Sequence, residues 1–184
     1  NPLRLCAEVG KRLGPEDIVI GDEGDFVATA AYVLKLRWPQ LWMDPGPLGT
    51  LGVGPGYALA AKLTRPEARV WIIYGDGSFG LHGLEFEALV RQQIPVVAVI
   101  GNDAAWMQIR RGQVQLFGQE RAVATSLSHV RYDKVVEALG GFGAYVETVA
   151  DLGPALDAAM ASGKPACVNV KIATSDFRKT ALSV

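Results

Sequence analysis

Two apolar runs, Val70-Trp71-Ile72-Ile73-Tyr74 and Pro95-Val96-Val97-Ala98-Val99-Ile100, each lead into a short polar cluster: Gly75-Asp76-Gly77 after the first and, past Gly101, Asn102-Asp103 after the second. Short β-branched runs bounded by turn-forming residues read as buried strands. The segment Leu81 to Gln93 reads as a helix, which makes residues 70–103 a strand, a crossover helix and a parallel strand. In such a unit both strands point the same way, so both polar clusters reach one carboxyl edge of the sheet. That edge is where open α/β sheets bind ligands.

The rest of the chain repeats the alternation. Apolar positions Leu3, Cys6, Ala7 and Val9 suit a helix from Pro2 to Leu13, stopped by Gly14-Pro15. Asp17 to Ile20 reads as a short strand, Phe26 to Leu36 as a helix, Leu41-Trp42-Met43 as a short strand, and Gly54 to Leu63 as a helix with Pro55 in its first turn. Beyond Asn102 the pattern loosens through Trp106 to Thr125, where Arg110, Arg111, Gly112 and Gln113 interrupt any long apolar face; this stretch reads as a helix and then a mobile loop, followed by a helix from Tyr132 to Leu139 that stops at Gly140-Gly141. Tyr145-Val146 reads as a strand, Asp151 as the cap of a helix bearing Leu152, Leu156 and Met160, and Ala166 to Ile172 as a final buried strand. Such alternation implies an α/β fold, a mainly parallel sheet with helices on both faces. At 184 residues and 49% hydrophobic content the chain can bury one sizeable core, so residues 1–184 are expected to form a single domain.

Asp76 and Asp103 are hard oxygen donors, and Gly77 and Ser78 stand where a helix begins, offering backbone N–H groups to an anion. A divalent ion between these carboxylates and a phosphate suits the set, and Mg²⁺ commonly takes one or two carboxylates plus phosphate oxygens. Each fragment alone also reads as a turn or a helix cap; their meeting at the ends of one βαβ unit favours a site. The glycine-rich run Gly49-Thr50-Leu51-Gly52-Val53-Gly54-Pro55-Gly56 could place main chain against a flat ring or form a dinucleotide-type turn. No strand of convincing length precedes it, which weakens the second reading. Asp22, Glu23 and Asp25 read either as a cation site or as an exposed turn. His82, His129 and Glu85 read as ordinary surface or structural residues, and Trp106 equally as core or pocket wall. Arg110 and Arg111 read as a solvated helix face.

With residues 78 to 101 between them, Gly75-Asp76-Gly77 and Asn102-Asp103 resemble the GDG…NN motif with which thiamine diphosphate enzymes hold magnesium and diphosphate. Asp103 replaces the second Asn of that pattern, which keeps an oxygen ligand and adds a charge. The resemblance implies metal ligation by Asp76, Asp103 and the Ala105 carbonyl. It implies that the Gly49 carbonyl receives the exocyclic amine of the cofactor, that Leu51 props the cofactor into a bent shape, and that Gly24-Asp25-Phe26 lie near the diphosphate. Gly21 to Ala31, Asp44-Pro45-Gly46, Gly101 to Trp106 and Asp176-Phe177-Arg178 are similar to the 2-hydroxyacyl-CoA lyase and acetolactate synthase-like branch. Likeness extends from about Leu3 to Val184.

What this implies is a C-terminal cofactor-binding domain, a fragment of a longer chain. Thiamine chemistry needs a glutamate from a pyrimidine-binding domain, and no residue of this sequence matches it, so no catalytic residue is assigned and the chain alone is expected to be inactive. The implied parent, a homodimer or homotetramer, cleaves a 2-hydroxyacyl-CoA to an aldehyde or ketone and formyl-CoA. Alternatives are a pyruvate carboligase of the acetolactate synthase type, a free-standing subunit of a split 2-oxoacid decarboxylase, and a non-catalytic binding module.

A net charge of −1 with scattered basic residues disfavours nucleic acid. Cys6 and Cys167 have neither disulfide-framework nor zinc spacing. Without a run of roughly 20 apolar residues, a cytoplasmic location is expected, with membrane association of the parent left open.

Overall fold

A computed structural model describes residues 1–174; the Asp176-Phe177-Arg178 signature and Val184 lie outside the described residues. In chain order the elements are α1 (Pro2–Gly10), β1 (Ile18–Gly21), α2 (Asp25–Val33), β2 (Trp42–Met43), α3 (Gly54–Thr64), β3 (Val70–Gly75), α4 (Asp76–His82), α5 (Phe86–Arg91), β4 (Val97–Asn102), α6 (Met107–Phe117), α7 (Tyr132–Ala138), β5 (Phe142–Val146), α8 (Val149–Ala161) and β6 (Ala166–Lys171). Short 3₁₀ turns punctuate the connections, one of them between α4 and α5.

All described strand pairs are parallel, and the six strands run in the order β2-β1-β3-β4-β6-β5. Successive residues of a strand point to opposite faces, and β3 shows the consequence. Trp71 and Ile73 join a core with Leu5, Val9, Phe26, Val27, Leu152 and Leu156, from α1, α2 and α8. Val70, Ile72 and Tyr74 join a second core with Ala58, Phe79, Phe86, Leu89 and Val136, from α3, α4, α5 and α7. Burial on both faces is why β3 and β4 read as unbroken apolar runs rather than alternating ones.

Several boundaries differ from the sequence-based expectation. The crossover helix expected over Leu81 to Gln93 starts at Asp76 and breaks at Gly83–Glu85. Gly83 abuts the buried Phe79 ring with no room for a side chain, and that ring packs edge-on against Tyr74 at 5.3 Å and beside Phe86 at 5.6 Å. The last helix is capped by Thr148, whose hydroxyl accepts from the Asp151 N–H at 3.3 Å; Asp151 is the third helical residue, not the cap. Its carboxylate in turn accepts from the Thr148 hydroxyl at 2.6 Å. β5 begins at Phe142, three residues before the expected start. Among the described residues no helix is long and apolar enough to cross a membrane.

Candidate functional site

β1 lies between β2 and β3, so its chain leaves toward one neighbour while the βαβ unit continues on the other side. Such a switch in strand order opens a crevice at the carboxyl ends. A cleft of about 170 Å³ occupies that place, lined by segments that follow β1, β2, β3 and β4. Gly24, Asp25, Phe26, Gly49, Leu51, Asp76, Gly77, Ser78, Asp103 and Ala105, all the site residues expected from sequence, line this one cleft.

Its acidic centre is built by register. Gly75 at the end of β3 pairs with Gly101 on β4, which sets Asp76 and Asp103 on adjacent strand tips. Asp76 is only 2% exposed; its Oδ1 accepts from the Gly77 N–H at 2.9 Å and its Oδ2 from the Ala105 N–H at 3.2 Å. Burial raises its pKa against the pull of these donors. The Asp103 carboxyl is pushed up to about 7, first by burial and then by the negative charges of Asp76 and Asp25. A carboxylate raised by burial and by its charged neighbours, as Asp103 is, calls for a cation. The chain reaches Ala105 through Ala104, held at φ +57°, whose N–H donates to Asn102 Oδ1 at 3.3 Å. Asn102 is itself fixed by Nδ2 donation to Asn169 Oδ1 at 3.1 Å and to the Val130 carbonyl at 3.2 Å, while His129 Nδ1 lies 3.1 Å from its Oδ1.

Around this centre the walls have distinct origins. Gly24 caps α2 without a side chain, at φ +116°, and Asp25 opens that helix. The Asp25 carboxylate is paired with Arg111, with one contact at 2.9 Å, so its charge is opposed by a partly buried guanidinium. Arg111 therefore does not belong to a freely solvated face, while Arg110 bonds Thr125 and Ser126 hydroxyls at 3.3 Å. Phe26 is core, its ring so near Gly101 that a Cβ there would lie 2.5 Å away. Gly49 is left-handed at φ +57° after a turn in which Asp44 accepts from Trp42 Nε1 at 2.6 Å and from the Gly46 N–H at 2.8 Å. Trp106 closes over Gly77, where a Cβ would sit 2.6 Å from the indole. Glu85, His82 and His129 are exposed.

One residue has a part that neither of its sequence readings, cation site or exposed turn, anticipated. Asp22 is fully buried, and its carboxylate accepts from the Gly52 N–H at 2.7 Å, from the Gly54 N–H and from the Ser78 hydroxyl. In sequence it is the first of three acidic residues at a strand end, and nothing there separates it from its exposed-turn reading. Only the glycines at 52 and 54, which leave N–H groups open to a close acceptor, carried a signal.

Among the described residues no group of three or more His, Cys, Asp or Glu side chains has the arrangement of a metal site. The carboxylates of Asp76 and Asp103 that line the cleft are hard oxygen donors, of the kind that suits a divalent cation on a bound phosphate. With Gly24, Gly49, Gly75, Gly77 and Gly101 among its lining, the cleft leaves main chain open to a ligand, as a diphosphate-bearing cofactor needs.

Comparison with known proteins agrees. Residues 22–170 match the family described as thiamine pyrophosphate enzyme, C-terminal TPP binding domain. The chain is 42% identical over 189 aligned positions to 2-hydroxyacyl-CoA lyase 2 of Danio rerio, covering all of this chain and 30% of that protein. To the human 2-hydroxyacyl-CoA lyase 2 the identity is 41% over 189 positions, covering all of this chain and 30% of that protein. To the acetolactate synthase large subunit of Mycobacterium tuberculosis it is 46% over 170 positions, 92% of this chain and 31% of that protein. The chain thus spans under a third of the length of these relatives. By its matched span and by the cleft that span builds, the chain belongs to the thiamine pyrophosphate enzymes and carries their C-terminal cofactor-binding domain.

Proposed function

We propose that residues 1–184 form one domain of a longer thiamine diphosphate enzyme, and that this domain anchors the cofactor's diphosphate through Mg²⁺. Asp76, Asp103 and the Ala105 carbonyl hold the metal. The backbone of Gly77 and Ser78 and the α2 start at Gly24-Asp25-Phe26 face the phosphates, with Arg111 offsetting the Asp25 charge. The Gly49 carbonyl orients the ring by accepting from its amine, and Leu51 supports it from an apolar side. Convergence of Asp76 and Asp103 on one cleft, with Gly49 and Leu51 in its wall, is the observation that carries this reading.

When bound, thiamine diphosphate supplies the nucleophilic carbon and the electron sink that make and break carbon–carbon bonds. This chain's residues hold and orient it, and Trp106 over Gly77 shields the phosphate end from water. The activating glutamate comes from a pyrimidine-binding domain, of the parent or of a neighbouring subunit in a homodimer or homotetramer, so this chain alone does not turn over. For the parent we favour cleavage of a 2-hydroxyacyl-CoA to an aldehyde or ketone and formyl-CoA, supported by whole-chain likeness to 2-hydroxyacyl-CoA lyase 2. The second reading, pyruvate carboligation, draws support from the 46% identity to an acetolactate synthase. Supplying the full-length enzyme with a 2-hydroxyacyl-CoA or with pyruvate separates them by product.

The anchoring role is tested by calorimetry. Asp76→Ala abolishes Mg²⁺-dependent binding of thiamine diphosphate, and unchanged affinity rejects the role. Leu51→Ala lowers kcat of the full-length enzyme at least about tenfold with little change in melting temperature; an unaltered rate removes Leu51 from the cofactor's support.

A further inference from the structure

The Asp22 carboxylate joins two parts of the cleft that are far apart in sequence. Asp22 sits just beyond β1, its own N–H donating to the Ile73 carbonyl at 3.0 Å. Its Oδ1 accepts from the Gly52 N–H at 2.7 Å and its Oδ2 from the Gly54 N–H, both on the segment that follows directly from Gly49 and Leu51. From the other side, the Ser78 hydroxyl in the first turn of α4 contacts Oδ1 and lies 2.7 Å from the Asp22 main-chain oxygen.

We propose that Asp22 is a positioning residue that fixes the spacing between the Gly49–Gly54 segment, which seats the cofactor's ring, and the α4 turn, which seats its diphosphate. This rests on the reading of the cleft as a thiamine diphosphate site. Three donors converge on this residue, and both carboxylate oxygens are used. An amide in its place offers one acceptor and turns an NH₂ group toward a buried N–H. Apolar packing can hold a loop as firmly as a buried charge does, but without directional bonds to set its register.

The surroundings are shaped for this acceptor. A Cβ on Gly54 would lie 2.6 Å from Asp22 Oδ2 and 2.5 Å from the Tyr74 hydroxyl, so only glycine lets the segment approach. That hydroxyl is fully buried with no hydrogen-bond partner, and so stands as a second polar group of the same cage. The side-chain hydrogen bonds of Asp22 go to Gly52, Gly54 and Ser78 and not to Asp76, Asp103 or Ala105, so it acts on the cofactor only through the segments it ties.

The test uses the full-length enzyme as Asp22→Asn and, separately, Gly54→Ala, whose methyl would meet Asp22 Oδ2 at 2.6 Å and so pushes the segment off the carboxylate. Each is titrated calorimetrically with thiamine diphosphate and with inorganic pyrophosphate, both in Mg²⁺. Affinity for thiamine diphosphate, which spans both segments, falls at least about tenfold, or about 1.4 kcal/mol. Affinity for pyrophosphate, which needs only one, changes by less than about twofold. Equal losses for both ligands, or no loss for either, overturn the inference. If Asp22→Asn fails to fold, Gly54→Ala carries the same comparison. Failure of the unsubstituted enzyme to bind thiamine diphosphate overturns the reading of the cleft, and the inference with it.

Discussion

Ionising Asp103 beside Asp76 and Asp25 is opposed by burial and by repulsion, and with no cation to offset them its carboxyl rises to about 7 from an ordinary 3.8. Between those values the native chain holds more protons than the unfolded one, so stability falls as pH rises from about 4 to about 7. With metal chelated, Asp103→Asn should raise the melting temperature at pH 8 by roughly 3–6 °C, after allowance for partial solvent screening. The gain should shrink toward pH 5, where much of the penalty in the parent is already relieved. Equal gains at both pH values would contradict an electrostatic origin. Metal requires the ionised form, so Mg²⁺-dependent cofactor affinity should climb with pH until about 7. Gly77 offers a steric counterpart, because a methyl there meets the Trp106 indole at 2.6 Å. Gly77→Ala should cost about 1–3 kcal/mol by overpacking, and most of that loss should return in the Gly77→Ala/Trp106→Ala double variant. Additive losses, measured by denaturant unfolding, would show that the two positions do not press on one another. These contacts were not legible from sequence: Asp76 and Asp103 announced themselves by strand-end position, whereas Asp22, Arg111 and the Trp106–Gly77 contact depend on segments brought together only by folding.

At the scale of elements, β3, β4 and β6 were readable because strands buried on both faces must be apolar throughout. The break between α4 and α5 was not, because its cause, the Phe79 ring against Gly83, is a packing contact with no periodicity of its own. The helix range read from the apolar pattern started late, at Leu81, because Gly77 and Gly80 dilute that pattern, although Gly77 and Ser78 were expected at a helix start. The α8 cap was misplaced by three residues for a simpler reason: Thr148 and Asp151 are both cap-forming types, and their reciprocal bonds resolve which one is outside the helix. Thr148→Ala should therefore destabilise by about 1 kcal/mol, read as a fall of roughly 2–4 °C in melting temperature. Asp151→Asn should cost less, because it leaves the Thr148 hydroxyl on the Asp151 N–H. A larger loss from Asp151→Asn would return the capping role to Asp151.

Across the whole molecule, burial is uneven in a way that sorts the elements by local stability. β3, β4 and β6 lie inside the sheet, with helices on both faces. α6 has no buried residue, and Ile109, Leu116 and Phe117 are each more than half exposed. That helix is tied down by polar links, from Arg111 to Asp25 and from Arg110 to Thr125 and Ser126, rather than by a hydrophobic face. A helix here was expected although Arg110 to Gln113 interrupt any long apolar face, whereas the strand order and the thin burial of α6 are properties of the assembled sheet. Elements with few buried apolar contacts open far below the global unfolding free energy. Hydrogen exchange on the isolated chain should therefore find the amides of β3, β4 and β6 slowest and those of Ile109 to Leu116 faster by at least about a hundredfold. Exchange at the rate of the central strands throughout α6 would refute this ordering. In the full-length enzyme the same amides should slow while those of the central strands stay nearly unchanged, the pattern expected where another domain settles on a helix that this one leaves uncovered.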